Sequence, residues 1–296
     1  MTRALDLSGA GAKLERALVH LNSLGDTFEA MANEAADQFS LAPQERSPYG
    51  DKTRILMRVG SLVSPPAATP LIAGDYLQNL RAVLDHIAWE LVTKGDTPDP
   101  ARPQRVMFPI YDSVRSSGNR SVDSSVFRAR LHEALPGVDE ERIEVVSRYQ
   151  SPDPDNWQLQ ALARLSNRDK HQILTPVRLL STGEIKQHHL RPTVGNIVGW
   201  RRLLSDGEPL HERSALLEAI VDDVDAEVEL LVTITTPVAF EEQAGVYRRT
   251  KELEAIGEVV AGIAAEFARR WGGESAAAAC AAWPERARQA LGIVDQ

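Results

Sequence analysis

Asn79–His86, which reads NLRAVLDH, and Asn167–His171, which reads NRDKH, set ionisable side chains of complementary chemistry within one or two helical turns. An imidazole moves a proton near neutrality, a guanidinium holds developing negative charge, and a carboxylate orients either one. Arg81, Asp85 and His86 are therefore the candidate reacting groups, with Asn79, Asp169, Lys170 and His171 in support. The same residues also suit an architectural role. Arg81 and Asp85 stand four apart and can pair along one helix face, while Asp169 can join two helices by pairing with Arg81 or Arg168. A third reading takes His86 and Glu90, one turn apart, as metal ligands. Such centres usually need three convergent protein ligands and only two align here, so neither a metal nor another cofactor is expected.

These groups must be positioned by helices. Over Leu71–Thr93 the residues Leu77, Leu80, Leu84, Ile87, Ala88 and Leu91 form one apolar stripe, the expected core face. Arg81 and Asp85 flank that stripe. His86 projects from the far side with Asn79, Ala82, Trp89 and Glu90, and a face carrying Trp89 calls for a cover, either another part of the chain or a second subunit. That face is thus a dimer interface or a groove. On the helix that follows Pro154, Asp169 aligns with Leu162, Ser166 and Ile173, so its carboxylate is expected to be partly buried beside a cation.

An arginine followed five residues later by a histidine, as Arg81 and His86 stand here, resembles the short motif of the HEPN superfamily, helical and often dimeric domains that include metal-independent ribonucleases of defence systems. NLRAVLDH and NRDKH together also resemble a pattern of bacterial proteins without an assigned activity. The resemblance implies a cytoplasmic HEPN-like factor that cleaves or binds RNA, in which His86 is the base, Arg81 the cation, Asp85 or Asp169 the orienting carboxylate, and Lys170 or His171 a phosphate contact. Two features depart from it. Positions five apart lie about 140° around a regular helix, so Arg81 and His86 share no face. Residue 82 is alanine where those nucleases commonly carry a polar side chain. The alternative is a non-catalytic helical interaction or dimerisation module in which the clusters only lock helices together.

Bulk properties narrow the field. The 296 residues are 43% hydrophobic and 25% charged, ordinary for a globular chain. No apolar run is long enough to span a bilayer, and Lys13, Glu15 and Arg16 interrupt the N-terminal stretch, so no membrane partner is expected and the chain reads as cytoplasmic. Cys280 is the one cysteine, which excludes an internal disulfide and a thiolate zinc site. The 33 basic and 42 acidic residues leave a net charge of −9, which opposes a general polyanion-binding surface. Locally, Arg102, Arg105, Arg115, Arg120, Arg128 and Arg130 face only Asp112 and Asp123, so an anion should bind there if anywhere. There is no GxSxG elbow, no HExxH pair and no phosphate-binding loop.

Along the chain, helical periodicity over Ser8–Phe39 gives way to alternation in Thr53–Val63, then to the helix carrying Arg81. Residues 96–130 read as a long polar loop around the anchor Met107-Phe108-Pro109-Ile110. Helices follow near Asp139 and Trp157. Past Pro176 the stretches PVRLLS, EIKQHHLRP, NIVGWRRLL and AEVELLVTITT read as strands of a meander, before a helix over Arg249–Trp271 and an alanine-rich tail, loosely attached. The expected fold is one α+β domain: a HEPN-like long-helix bundle (about 8–174 and 248–271) with a small antiparallel β-meander (about 175–240) and a low-complexity tail (274–296).

Overall fold

The alternation of Thr53, Ile55, Met57 and Val59 buries one face of an 11-residue strand, and a sheet unit grows around it. The computed structural model describes residues 4–33, 39–95, 106–111, 124–150, 157–179, 186, 190–231 and 236–290. These fall into two units, 27–67 with 175–240, and 1–26 with 68–174 and 241–296.

In the sheet unit the strands are β1 (Phe39–Leu41), β2 (Glu45–Tyr49), β3 (Lys52–Leu62), β4 (Pro176–Arg178), β5 (Leu190–Pro192), β6 (Ile197–Arg202), β7 (Ala215–Val221), β8 (Val228–Leu230) and the first half of β9 (Val238–Gln243). The main sheet runs β1-β3-β7-β6, with β2 also on β3, all antiparallel. Gly50, at φ 65°, makes the tight β2–β3 turn that a side chain would resist. β4 pairs with β9, β5 with β8 and β6 with β7, so the pairings nest inside one another. Ile55, Met57, Val59, Leu217, Ala219, Val221 and Val228 form the core of this unit.

The second unit contains β10 (Val246–Arg249) and the helices α1 (Ser8–Asn33, whose last residues belong to the sheet unit), α2 (Thr69–Thr93), α3 (Ser124–Ala134), α4 (Glu140–Arg148), α5 (Trp157–His171), α6 (Thr250–Phe267), α7 (Glu274–Ala281) and α8 (Trp283–Ala290). α2 is its central helix and packs on α5 and α6. Its apolar residues at 77, 80, 84, 87, 88 and 91 are all buried, as the wheel predicts. Asp139 caps α4 by accepting from the Arg142 amide at 3.0 Å. The Tyr76 hydroxyl donates to the Leu253 carbonyl at 2.9 Å, and Trp283 of α8 fills the neighbouring space. A Cβ at Gly257 would fall on both rings' outer atoms, so glycine there lets α2, α6 and α8 close together.

The α+β class stands, but the long-helix bundle with a small meander does not. Strand takes 23% of the structure against 50% helix, and the strands build sheets with their own core. The reason is long-range pairing: β3, which precedes α2 in the chain, joins β7, and nested partners replace the sequential neighbours of a meander. The stretch from Ser124 to Arg130, expected in a loop, begins α3. The tail is docked rather than loose, because Cys280, Trp283 and Ala287 are buried. Residues 96–105 and 112–123 of the expected loop, most of EIKQHHLRP, and Val232 and Ile234 lie outside the described residues. No described helix is long and apolar enough to cross a membrane.

Candidate functional site

α2 carries its first polar group on one edge of the apolar stripe. Arg81 Nη2 donates to the Phe108 carbonyl at 2.8 Å and lies 3.2 Å from Asp85 Oδ1, while the Phe108 amide donates to that same carboxylate oxygen at 3.0 Å. The intrahelical ion pair therefore grips both polar atoms of one residue whose side chain is buried. Gln150, at the end of α4, repeats the device next door. Its Nε2 donates to the Pro109 carbonyl at 2.6 Å, and its Oε1 accepts from the Tyr111 amide at 3.2 Å. Three side chains thus supply to Phe108–Tyr111 the hydrogen bonds that a neighbouring strand would otherwise provide.

His86 faces elsewhere. A Cβ built on Gly9 of α1 would stand 2.9 Å from both Cε1 and Nδ1 of the imidazole, so the ring lies flat against the start of α1. One turn on, Glu90 Oε2 accepts from the Asp6 amide at 2.8 Å. The N-terminal segment of the chain thus meets His86 and Glu90 on this face, while Trp89, the residue that called for a cover, stays 38% exposed. Asn79 is spent on its own helix, donating to the Asp75 carbonyl at 2.7 Å. Gly9→Ala is expected to destabilise the unit by about 1–2 kcal/mol through overpacking against the ring. Adding His86→Ala should remove that penalty, a reversal that chemical denaturation of the single and double variants measures.

Asp169 does not meet Arg81. It lies over Gly74, where a Cβ would overlap its carboxylate, and accepts from Gln78 Nε2 at 3.1 Å. The same amide donates to the Ser166 carbonyl at 2.8 Å, so Gln78 joins α2 to α5 where Gly74 lets the helices approach. Arg168 pairs with Glu241 at 2.7 Å instead. Lys170 and His171 are exposed in the last turn of α5, where positive charge complements the helix dipole. Ile173, expected with the core, is 68% exposed because α5 has ended. The contacts bring Arg81 and Asp85 together and leave His86, Asp169 and His171 each with separate neighbours.

An open cleft of about 430 Å³ lies beside the clamped segment, lined by Ile110, Tyr111, Arg130, Gln160, Ala163, Arg164 and Asn167. Gln160, Arg164 and Asn167 follow one another at spacings of four and three, which sets them on one face of α5. Tyr111 packs edge-on to Phe127 and donates to the Arg130 carbonyl at 3.0 Å. Burial pushes its phenol above the usual range, with the nearby Arg130 charge opposing that shift and the Glu133 carboxylate adding to it. Behind the cleft, Arg164 pairs at 2.6 Å with Glu242, whose side chain is wholly buried and also held by Arg248, itself stacked 4.2 Å over Trp157. The α5 spacing was legible in the sequence; its meeting with Tyr111 and Arg130 depends on the fold.

Cys280 is buried. Burial pushes the Cys280 thiol up, with Glu15 adding to the shift, so thiolate is disfavoured. Among the described residues no group of three or more His, Cys, Asp or Glu side chains could hold a metal ion. Comparison of the chain with protein-family models, with curated proteins and with solved structures returns no match.

Proposed function

We propose that this chain is a non-catalytic binding module in which the Arg/Asp/His clusters are structural and the working surface is the cleft between Ile110 and Asn167. The observation that carries this reading is the double grip on Phe108: Arg81 and Asp85, the two residues best suited to bind a phosphate or orient a base, are engaged with one buried backbone unit. An arginine 11% exposed and already hydrogen-bonded has little left to offer a substrate. The imidazole of His86, resting on Gly9, is turned from that guanidinium as the helical spacing requires.

The test is direct. Purified protein and its His86→Ala variant are incubated with single-stranded RNA in EDTA, and both are expected to leave the RNA intact. RNA cleavage by the wild type that His86→Ala abolishes, with unfolding unchanged, would overturn the proposal in favour of a HEPN-like ribonuclease.

A further inference from the structure

Glu254, Gly257 and Glu258 follow one another at spacings of three and one, with Glu258 a full turn past Glu254, so the three share one face of α6. α8 packs on that face. Trp283 fills the slot that Gly257 leaves and donates from Nε1 to the Leu14 carbonyl at 3.3 Å, while Arg288 reaches Glu258 at 3.8 Å. Arg286 pairs at 2.8 Å with Glu15, so the same short helix fastens α6 to α1. Glu254 is the anomaly in this contact. It is only 5% exposed, and its carboxylate makes no hydrogen bond or ion pair with any described residue. A buried polar group left in that condition needs an explanation.

The charges that act on Glu254 are Glu258 and Lys251 of its own helix and Arg288 of α8. From α2 the Tyr76 phenol feels its charge, but the hydroxyl is spent on the Leu253 carbonyl. Lys251 is exposed, so at the α6–α8 contact two carboxylates one turn apart look to a single guanidinium. A proton supplies the missing compensation, because a neutral carboxyl is far cheaper to bury than a charged one and does not repel its neighbour. We propose that α8 is a pH-sensitive clasp whose closure on α6 takes up one proton at Glu254. Burial, with the Glu258 charge adding to it, holds this carboxyl above its ordinary range, against the pull of Arg288 and Lys251. The stabilisation of the closed clasp is therefore full below the ordinary value of 4.5 and is lost as the pH rises through the raised one. Glu15 works in the opposite sense. Its hydrogen bond to Arg286 holds its carboxyl below the ordinary range, so that pair fails only in stronger acid.

Amide hydrogen exchange of the full chain from about pH 4.5 to about pH 8, corrected for the intrinsic pH dependence of exchange, tests the clasp. Protection of the α8 amides relative to those of α2 should fall as the pH rises, by at most about tenfold per unit for one coupled proton, and then level off. Glu254→Gln, neutral at every pH, should abolish the fall and keep the protection of the acid state throughout. Glu258→Gln removes the like charge and releases Arg288 to Glu254, so it should shrink the fall. Glu285→Gln, an equal loss of charge at an exposed position of α8, should leave the wild-type fall in place. The proposal is overturned if α8 protection is constant or rises with pH, if it changes only in step with α2, or if Glu254→Gln retains the fall. Should Glu254→Gln not fold, a fall of undiminished size in Glu258→Gln overturns it equally.

Discussion

Glu242→Ala is expected to destabilise the helical unit by about 3–5 kcal/mol, the usual cost of removing one partner from a buried ion pair. The carboxylate has no solvent exposure and answers two guanidiniums, Arg164 from α5 and Arg248 from β10. Without it Arg164 and Arg248 lose the buried counter-charge they share, with Trp157 stacked on Arg248. Water must enter or the arginines must swing out, and either movement undoes the packing of α5. Glu242→Gln keeps the shape but not the charge, so it should fall between wild type and alanine. Urea denaturation followed by circular dichroism measures all three. Equal stability of Glu242→Ala and wild type would mean that the cluster is not buried in solution.

The second large effect concerns the clamp. Asp85→Ala leaves the Phe108 amide without its acceptor and strips Arg81 of its counter-charge, and Arg81→Ala leaves the Phe108 carbonyl without its donor. A buried polar group abandoned in this way costs about 1–3 kcal/mol, more when the lost partner is charged, so each single change should cost about 2–3 kcal/mol. An ordinary exposed pair four residues apart would contribute only about 0.3–0.5 kcal/mol, and the difference separates a clamp from a surface ornament. Because both act on one peptide, the double variant should lose clearly less than the sum of the singles. Strict additivity would show that Arg81 and Asp85 do not share a task.

Parts of this arrangement were open to reading from the residues. The alternation from Thr53 to Val59 and the stripe from Leu77 to Leu91 are local periodicities, and burial follows them closely. Met107-Phe108-Pro109-Ile110 stood out as an apolar anchor in a polar stretch, and Phe108 is indeed buried. The partners that hold it were less legible. Arg81 and Asp85 read as a pair, but nothing in their spacing says that both turn to a backbone unit more than twenty positions away. Gln78 and Gln150 are neutral amides with no pattern around them, yet they carry the α2–α5 contact and the second clamp. Arg81 was the first partner expected for Asp169 and Arg168 the local alternative, but Arg81 turns to Phe108 and Asp85 and Arg168 to Glu241.

The larger correction is topological for the same reason. PVRLLS and NIVGWRRLL read as strands and contain β4 and β6, but which strands pair is decided by register over long separations. Short connections argued for a meander, and hydrophobic alternation cannot distinguish that from nesting. The strand β7 was hidden because acidic residues flank it and its own sequence, ALLEAIV, suits a helix equally well. In the tail, alanine content masked a single decisive residue, Trp283, whose docking needs the bare backbone of Gly257.

Amide hydrogen exchange at Phe108 tests the clamp, and with it the architectural role of the Arg81–Asp85 cluster, most directly. In the wild type this amide should exchange as slowly as those of the α2 core, and in Asp85→Ala it should become fast while the α2 amides remain protected. A wild-type Phe108 amide that exchanges at the rate of an open loop would contradict the account and return Arg81 and Asp85 to the pool of groups available for chemistry.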